Sequence, residues 1–417
     1  MTRFQREDRA ARRGLRVLFV CLGDFNAPPG GRQIYYFARA LVDAGHSTMV
    51  LVGGDPGPVD ELGTSVDSRV GVGTYRFRLG RLTSATRKLA QDFRPDVIHL
   101  YEPRHVPATA ALELAKTTKA ALCVRYADDD RAIEQVAGGA RRLVWFGKAA
   151  LKLAGYVAPT AWPFAHPRSQ RRIIRTARGL DAIAPALAAE IASRTDRPCR
   201  CILPALPAVE VPERSAQDRQ ALGLPEGSRI VLYAGSIFRP HFADFELLLR
   251  AFAILAKQYP DVHLVQTGRV ADRYTADVLR PLAGSGFERF HRLGFLPTEQ
   301  DVMRAMVASD VLVQPGAPTI FNRLRLPAKL HDYLLSGRPV VTYAAGLEEL
   351  LEDGRHALLT RSGDPSELAG ALERVLSDPV LAERLGKAGR ERAIALFAPR
   401  KIAAELDAYY REALSTA

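Results

Sequence analysis

The sequence predicts an α/β protein of two consecutive domains, each a parallel sheet covered by helices, facing one another across a cleft. Three observations predict it. The chain has 417 residues, more than the roughly 250–300 at which a single hydrophobic core stops growing. Short apolar runs alternate with segments of helical period, the rhythm of strand–helix–strand units and of a parallel sheet. After a polar stretch at Glu210–Asp218 that rhythm starts again from Ile230. The expected limits are a basic leader over 1–14, a first domain over 15–205, a second over 206–396 and a closing segment over 397–417.

The first domain opens on the apolar run Leu15–Leu22, followed by a Gly/Pro loop through Gly30-Gly31. A helix is expected over Gln33–Ala44, with Ile34, Phe37, Ala38 and Leu41 on one stripe and Gly45 as its stop. Strands follow at Thr48–Val52, Val97–Tyr101 and Ala121–Tyr126, with a helix at Pro107–Ala115 between the last two. A short strand at Ala182–Ile183 leads into a helix through Ile191.

In the second domain, strand Ile230–Tyr233 precedes a helix over Asp244–Gln258, and Val262–Val265 runs into Thr267-Gly268. Further strands are expected at Phe290–Leu293, Val311–Gln314, Pro339–Tyr343 and Ala357–Leu359. Helices over Glu367–Leu376 and Pro379–Leu396, a break near Phe397–Pro399 and a last helix to Leu414 close the chain.

Charge and composition narrow the function. There are 58 Lys and Arg against 46 Asp and Glu, a formal charge of +12, which favours an anionic partner: nucleic acid, anionic lipid or a phosphorylated small molecule. No recognition module accompanies the charge, so sequence-specific nucleic-acid binding is not expected. The four cysteines, Cys21, Cys123, Cys199 and Cys201, lack zinc-site spacing, and neither a disulfide nor a metal is proposed. An Arg-rich start without a following apolar run is not a signal peptide, and no run of about eighteen apolar residues suggests a membrane span. The expected location is the cytoplasm. Aromatics with basic flanks across Arg141–Arg175 suit peripheral attachment to an anionic membrane, a mobile acceptor lid or an internal core helix with solvated flanks.

Open parallel sheets bind ligands at the carboxyl ends of their strands, where loops and helix N-termini converge. Candidate residues fall at those ends. Gly30 and Gly31 lie between the first strand and its helix, where missing side chains allow a ligand to approach; the spacing is not the dinucleotide fingerprint. Gly235 and Ser236, with Arg239 as a fork of donors for a diphosphate, and Gly268 occupy the same position in the second domain. The segment Asn322–Gly337 carries Lys329 and Asp332 three apart, so they share a helical face; the ammonium suits phosphate and the carboxylate suits ribose hydroxyls. Pro327 is expected in the first helical turn. His99, Tyr126 and Asp128 end first-domain strands and are candidate acceptor contacts. Histidines show no metal-ligand spacing, and Asp128-Asp129-Asp130 reads as loop capping or acceptor binding.

The Pro327-Ala328-Lys329-Leu330-His331-Asp332-Tyr333 segment, with Leu335-Ser336-Gly337-Arg338-Pro339-Val340-Val341, Leu293-Gly294-Phe295 and Ser309-Asp310-Val311, resembles the retaining glycosyltransferase family 4 of the GT-B type. The resemblance runs from Leu15 to Leu414. It implies two Rossmann-like domains, a second domain holding a UDP- or GDP-sugar, and a last helix returning to the first domain. It also implies retaining transfer of a hexosyl group to a hydroxyl acceptor (lipid-linked, saccharide or small molecule) with no cofactor and no metal beyond the donor. Asp332 stands at the ribose-binding glutamate, with a shorter reach. Leu324 and Ser236 stand where the family often has a glutamate and an arginine, so Arg239 and Lys329 become the compensating basic residues and Asn322 a candidate sugar contact. A nucleotide-sugar epimerase of the same fold and a nonenzymatic nucleotide-sugar or membrane-surface binder are the competing readings. Polysaccharide, glycolipid and antibiotic pathways all stay open.

Overall fold

The computed structural model describes residues 14–22, 30–53, 67–78, 81–129, 132–133, 167–207, 209–270 and 287–415. The first domain contributes strands β1 (Arg16–Leu22), β2 (Ser47–Gly53), β3 (Val70–Tyr75), the small hairpin β4 (Phe77–Arg78) and β5 (Arg81–Leu82), then β6 (Val97–Tyr101), β7 (Ala121–Tyr126), β8 (Gly179–Ala182) and β9 (Arg200–Cys201). The second contributes β10 (Arg229–Ala234), β11 (Val262–Thr267), β12 (Phe290–Gly294), β13 (Val311–Gln314), β14 (Val340–Tyr343) and β15 (Leu358–Thr360).

Seven of the first-domain strands form one sheet in the order β3-β2-β1-β6-β7-β8-β9, and the six of the second are ordered β12-β11-β10-β13-β14-β15. All neighbours within both sheets are parallel. Each domain thus propagates two strands to one side of its first strand and then crosses to the other. The reversal leaves a crevice beyond the carboxyl ends of β1 and β6, and another beyond β10 and β13. Such switch points are where open α/β sheets bind ligands.

Several elements differ from expectation for identifiable reasons. The first helix starts at Gly30 rather than Gln33; Gly30 and Gly31 form its first turn, where N–H groups need no helical partner. The strand expected at Ala182–Ile183 is β8, Gly179–Ala182. Its charged Asp181 hides it in the sequence, yet that side chain is fully buried. The helix bearing Asp332 is Leu330–Leu335, so Pro327 lies ahead of it, its carbonyl accepting from Leu330 N at 2.9 Å. Strand β3 and the helix Ser84–Phe93 were not read from the sequence at all, because Gly71 and Gly73 weaken the strand signal.

The chain passes between domains twice, and the two crossings touch: Leu206 N donates to Phe397 O at 2.9 Å. Beyond the second crossing, helix Pro399–Ser415 packs on the first domain's helix Gly30–Asp43 and on β7. It delivers Tyr410 into the first domain's core, where its hydroxyl lies 2.7 Å from His99 Nδ1. His99 Nε2 lies 2.8 Å from Asp181 Oδ1, and Arg125 closes the network by pairing with Asp181 and donating to Ile202 O at 2.8 Å. A carboxylate only accepts, so His99 Nε2 is the donor to Asp181.

Candidate functional site

The second-domain crevice is laced together at its rim. Ala234 N, ending β10, donates to Tyr333 Oη at 2.7 Å, tying that strand to helix Leu330–Leu335. Ser236 Oγ accepts from Arg269 N at 3.0 Å, tying the loop after β10 to the loop after β11. Gly268 between them has φ +91°, and a Cβ there would stand 2.6 Å from Ser236 N; no side chain fits. Gly235 serves close approach differently: a Cβ on it would meet Lys329 Nζ at 2.5 Å. The glycine opens the space into which the lysine reaches.

Lys329 ends over the Tyr233 ring, its Nζ 3.7 Å from the centroid. It does not pair with Asp332, and among the described residues no carboxylate lies within ion-pair distance of it. Burial, reinforced by the nearby Arg325 charge and only partly opposed by Asp244, holds its ammonium well below the usual lysine range. An anion arriving beside it would supply the missing counter-charge.

The surrounding charges explain why no carboxylate neutralises Lys329. Buried Asp244 accepts from Asn322 Nδ2 at 2.9 Å, from Ala317 N at 3.3 Å and from Arg325 Nη2 at 3.0 Å. Its charge is committed to Arg325 and to the loop after β13. Burial still pushes its carboxyl above the usual range, against the pull of Arg325. His241 lies in the same cluster; burial first, then Arg325 and Lys329, lower its imidazole to about 3. Its buried Nδ1 has no hydrogen-bond partner among the described residues. Asp244, Arg325 and His241 were not singled out from sequence. The sequence signal for Arg325 was slight: it sits between Leu324 and Leu326 but with a second arginine at 323.

The remaining candidates divide. Asp332 is half-buried in the first turn of its helix, 3.4 Å from His331 Nε2. Asn322 is buried with its amide nitrogen committed to Asp244 and to Ala317 O, which makes it a loop anchor. Arg239 opens the short 3₁₀ turn Arg239–His241; its side chain lies outside the described residues. Phe295, 58% exposed, stands at the same rim with Arg269 over its ring.

On the first domain, Gly30 and Gly31 begin the helix that follows β1, and Tyr126 ends β7, buried, with its hydroxyl pushed above the usual range by that burial. Asp128 follows in the next loop, half-exposed; its neighbour Asp129 is clamped by both Nη atoms of Arg194 at 2.8 Å. Asp130 lies outside the described residues. His99 does not belong to this set: it is 1% exposed, with both ring nitrogens engaged in the core. The two domains are joined across the cleft by Tyr36 Oη, which donates to Glu299 Oε1 at 2.5 Å.

Of the Arg141–Arg175 segment, only the helix Pro167–Thr176 is described; it exposes Arg171, Arg172 and Arg175, and the part before it lies outside the described residues. Among the described residues, no group of three His, Cys, Asp or Glu side chains is placed to hold a metal ion, and no helix is long and apolar enough to cross a membrane.

Comparison with known proteins assigns both halves. Residues 30–194 match the family model Glycosyltransferase Family 4, and residues 228–378 match Glycosyl transferases group 1. Each half of the chain thus matches a glycosyltransferase family model, within a fold of the GT-B type. Its fold superposes on that of the sucrose-phosphate synthase of Thermosynechococcus elongatus with a TM-score of 0.70 at 18% identity, covering 97% of this chain and 100% of the other. It also superposes on Anabaena HepE, solved with UDP and glucose, with a TM-score of 0.66 at 20% identity and the same coverage. Among curated proteins, this GT-B chain is 28% identical over 204 residues to a D-inositol 3-phosphate glycosyltransferase of Nocardioides, covering 44% of this chain and 41% of the relative. It is 33% identical over 178 residues to the 2-deoxystreptamine glucosyltransferase of Streptomyces kanamyceticus, covering 42% and 43%. The alignments to curated relatives span between 24% and 62% of those relatives' length.

Proposed function

We propose that the protein transfers a hexosyl group from a UDP- or GDP-linked sugar to a hydroxyl acceptor, with retention of configuration and without a metal ion. The observation that carries this reading is Lys329: a half-buried ammonium at the carboxyl edge of the second sheet, facing Gly235, with no carboxylate paired to it among the described residues. Relatives named for glycosyl transfer, and fold neighbours solved with UDP or UDP-glucose, support the same ligand class.

In this reading the diphosphate lies over Gly235 and Ser236, where Lys329 and Arg239 offset the charge that builds on it as the glycosidic bond breaks. Gly268 keeps the rim open, and Asp332 accepts from the ribose hydroxyls. Asn322 acts by holding the loop after β13 rather than by touching the sugar. The acceptor hydroxyl approaches from Gly30, Gly31, Tyr126 and Asp128, on the same face of the sugar as the departing diphosphate. No protein nucleophile is required, and closure of the cleft excludes water. Attachment to an anionic membrane through the basic helix Pro167–Thr176 is compatible with a lipid-linked acceptor.

The test is thermal stabilisation by UDP, GDP and their sugars, in wild type and in Arg239→Ala, Lys329→Ala and Asp332→Ala. Stabilisation by a nucleotide that each substitution weakens is expected. If no nucleotide stabilises the wild type, the reading fails. Conversion of a nucleotide sugar into its epimer without any acceptor would favour the epimerase.

A further inference from the structure

One strand away from Lys329, beyond β13 rather than β10, the second domain holds a separate pocket of about 450 Å³, within the size range of small-molecule sites. Pro318, Ile320 and Ala344 give its lining aliphatic surface, and two arginines, Arg323 and Arg361, also line it. Arg361 shares its charge with Glu348, Nη1 to Oε2 at 3.2 Å. Arg323 has no acidic partner among the described residues, so two cations face one anion.

The walls are fixed before any ligand arrives. Gly346, another lining residue, passes so close to the Arg323 backbone that a Cβ on it would stand 2.1 Å from Arg323 O. Arg361 is held by its own backbone, whose N–H donates to Glu367 Oε1 at 2.8 Å, while Ser362 N donates to Glu367 Oε2 at 2.8 Å. The pocket also borders the cleft: helix Ile320–Leu324, which supplies Ile320 and Arg323, packs on the first-domain helix Pro185–Thr195.

We propose that this pocket binds the oxyanion of an acidic, hydroxylated compound, and that the acceptor is of that class. The proposal rests on the transferase reading above. A guanidinium presents a planar fork that matches phosphate or carboxylate oxygens. The aliphatic part of the lining suits the carbon framework that carries the anion, and the position beside the donor crevice places a neighbouring hydroxyl within the cleft. Phosphomonoester and carboxylate share this chemistry.

The test is calorimetric titration of glucose 6-phosphate, glucuronate and glucose into the full chain, wild type and Arg323→Gln/Arg361→Gln, with UDP titrated separately into both. Both arginines are exposed, so the double variant is expected to fold and to bind UDP within twofold of wild type. The two acids should bind the wild type at least tenfold more tightly than glucose, and the double variant should lose that difference. Tighter binding of glucose 6-phosphate identifies a phosphomonoester site, and tighter binding of glucuronate a carboxylate site. Acids that bind no better than glucose, or equally well to the double variant, overturn the proposal. Absence of UDP binding to the wild type would instead overturn the donor reading, and leaves the acid titrations as a separate result.

Discussion

The Lys329 ammonium lies 3.7 Å from the centroid of the Tyr233 ring and pairs with no carboxylate among the described residues. A cation held in this way is stabilised by the ring quadrupole, but far less than by an anion. Its burial is offset only when a ligand supplies negative charge.

Lys329→Ala removes that cation. A hydrogen bond to a charged group contributes about 1.5–3 kcal/mol, so nucleotide diphosphate affinity should fall about 10- to 100-fold by calorimetry. Folding stability should change little or rise, because a half-buried amine without a counter-charge is lost. A variant as tight as wild type for every nucleotide would remove Lys329 from the site.

Binding should also take up protons. The ammonium is held well below the usual lysine range, and a bound diphosphate raises it again. Between the two values the free protein has lost the proton that the complex holds. Nucleotide affinity therefore falls as pH rises through the free protein's value, and the binding enthalpy shifts with the ionisation heat of the buffer. A binding enthalpy that does not depend on buffer ionisation heat at any pH between the free protein's value and the complex's would contradict this.

His241 sets an acid limit on stability. Its imidazole is lowered to about 3 in the fold, from about 6.5 in an unfolded chain. Between those values the unfolded state binds the extra proton, so stability is full above pH 6.5 and declines as pH falls toward 3, by up to about 1.4 kcal/mol per pH unit. In urea titrations His241→Gln should flatten that part of the profile. An unchanged slope would assign the acid sensitivity elsewhere.

Asp244 anchors the loop that carries the site. Asp244→Ala leaves Arg325 buried without its carboxylate and frees Asn322, and breaking a buried pair costs about 3–5 kcal/mol. Asp244→Asn keeps the shape and should cost less. A loss below about 1 kcal/mol for the alanine variant would mean that Arg325 finds another partner.

The same logic separates what the sequence revealed from what it hid. Strands such as β6, β7 and β13 were legible because each is a short run dominated by apolar residues between turn signals, and parallel strands covered on both faces need that composition. Lys329 and Asp332 were singled out through their spacing near a helix start, and the structure places Lys329 at the cap of the helix that carries Asp332. Asp181, Arg125 and His99 were not, because a buried ionic network looks like scattered surface charge until the strands bring its members together. His99 was read as an acceptor contact for that reason, while its real partner, Tyr410, lies 311 positions away. Arg325 and Asp244 are separated by 81 residues, and nothing local marks them as a pair.

The most direct measurement is titration of UDP, GDP, UDP-glucose and GDP-mannose into wild type and Lys329→Ala at pH 7. At least one ligand should bind the wild type saturably at a single site, and the alanine variant should bind it at least tenfold more weakly while melting at an equal or higher temperature. Absence of saturable binding by all four, or equal affinity in the two proteins, would contradict a nucleotide-sugar site at the edge of β10 and β13.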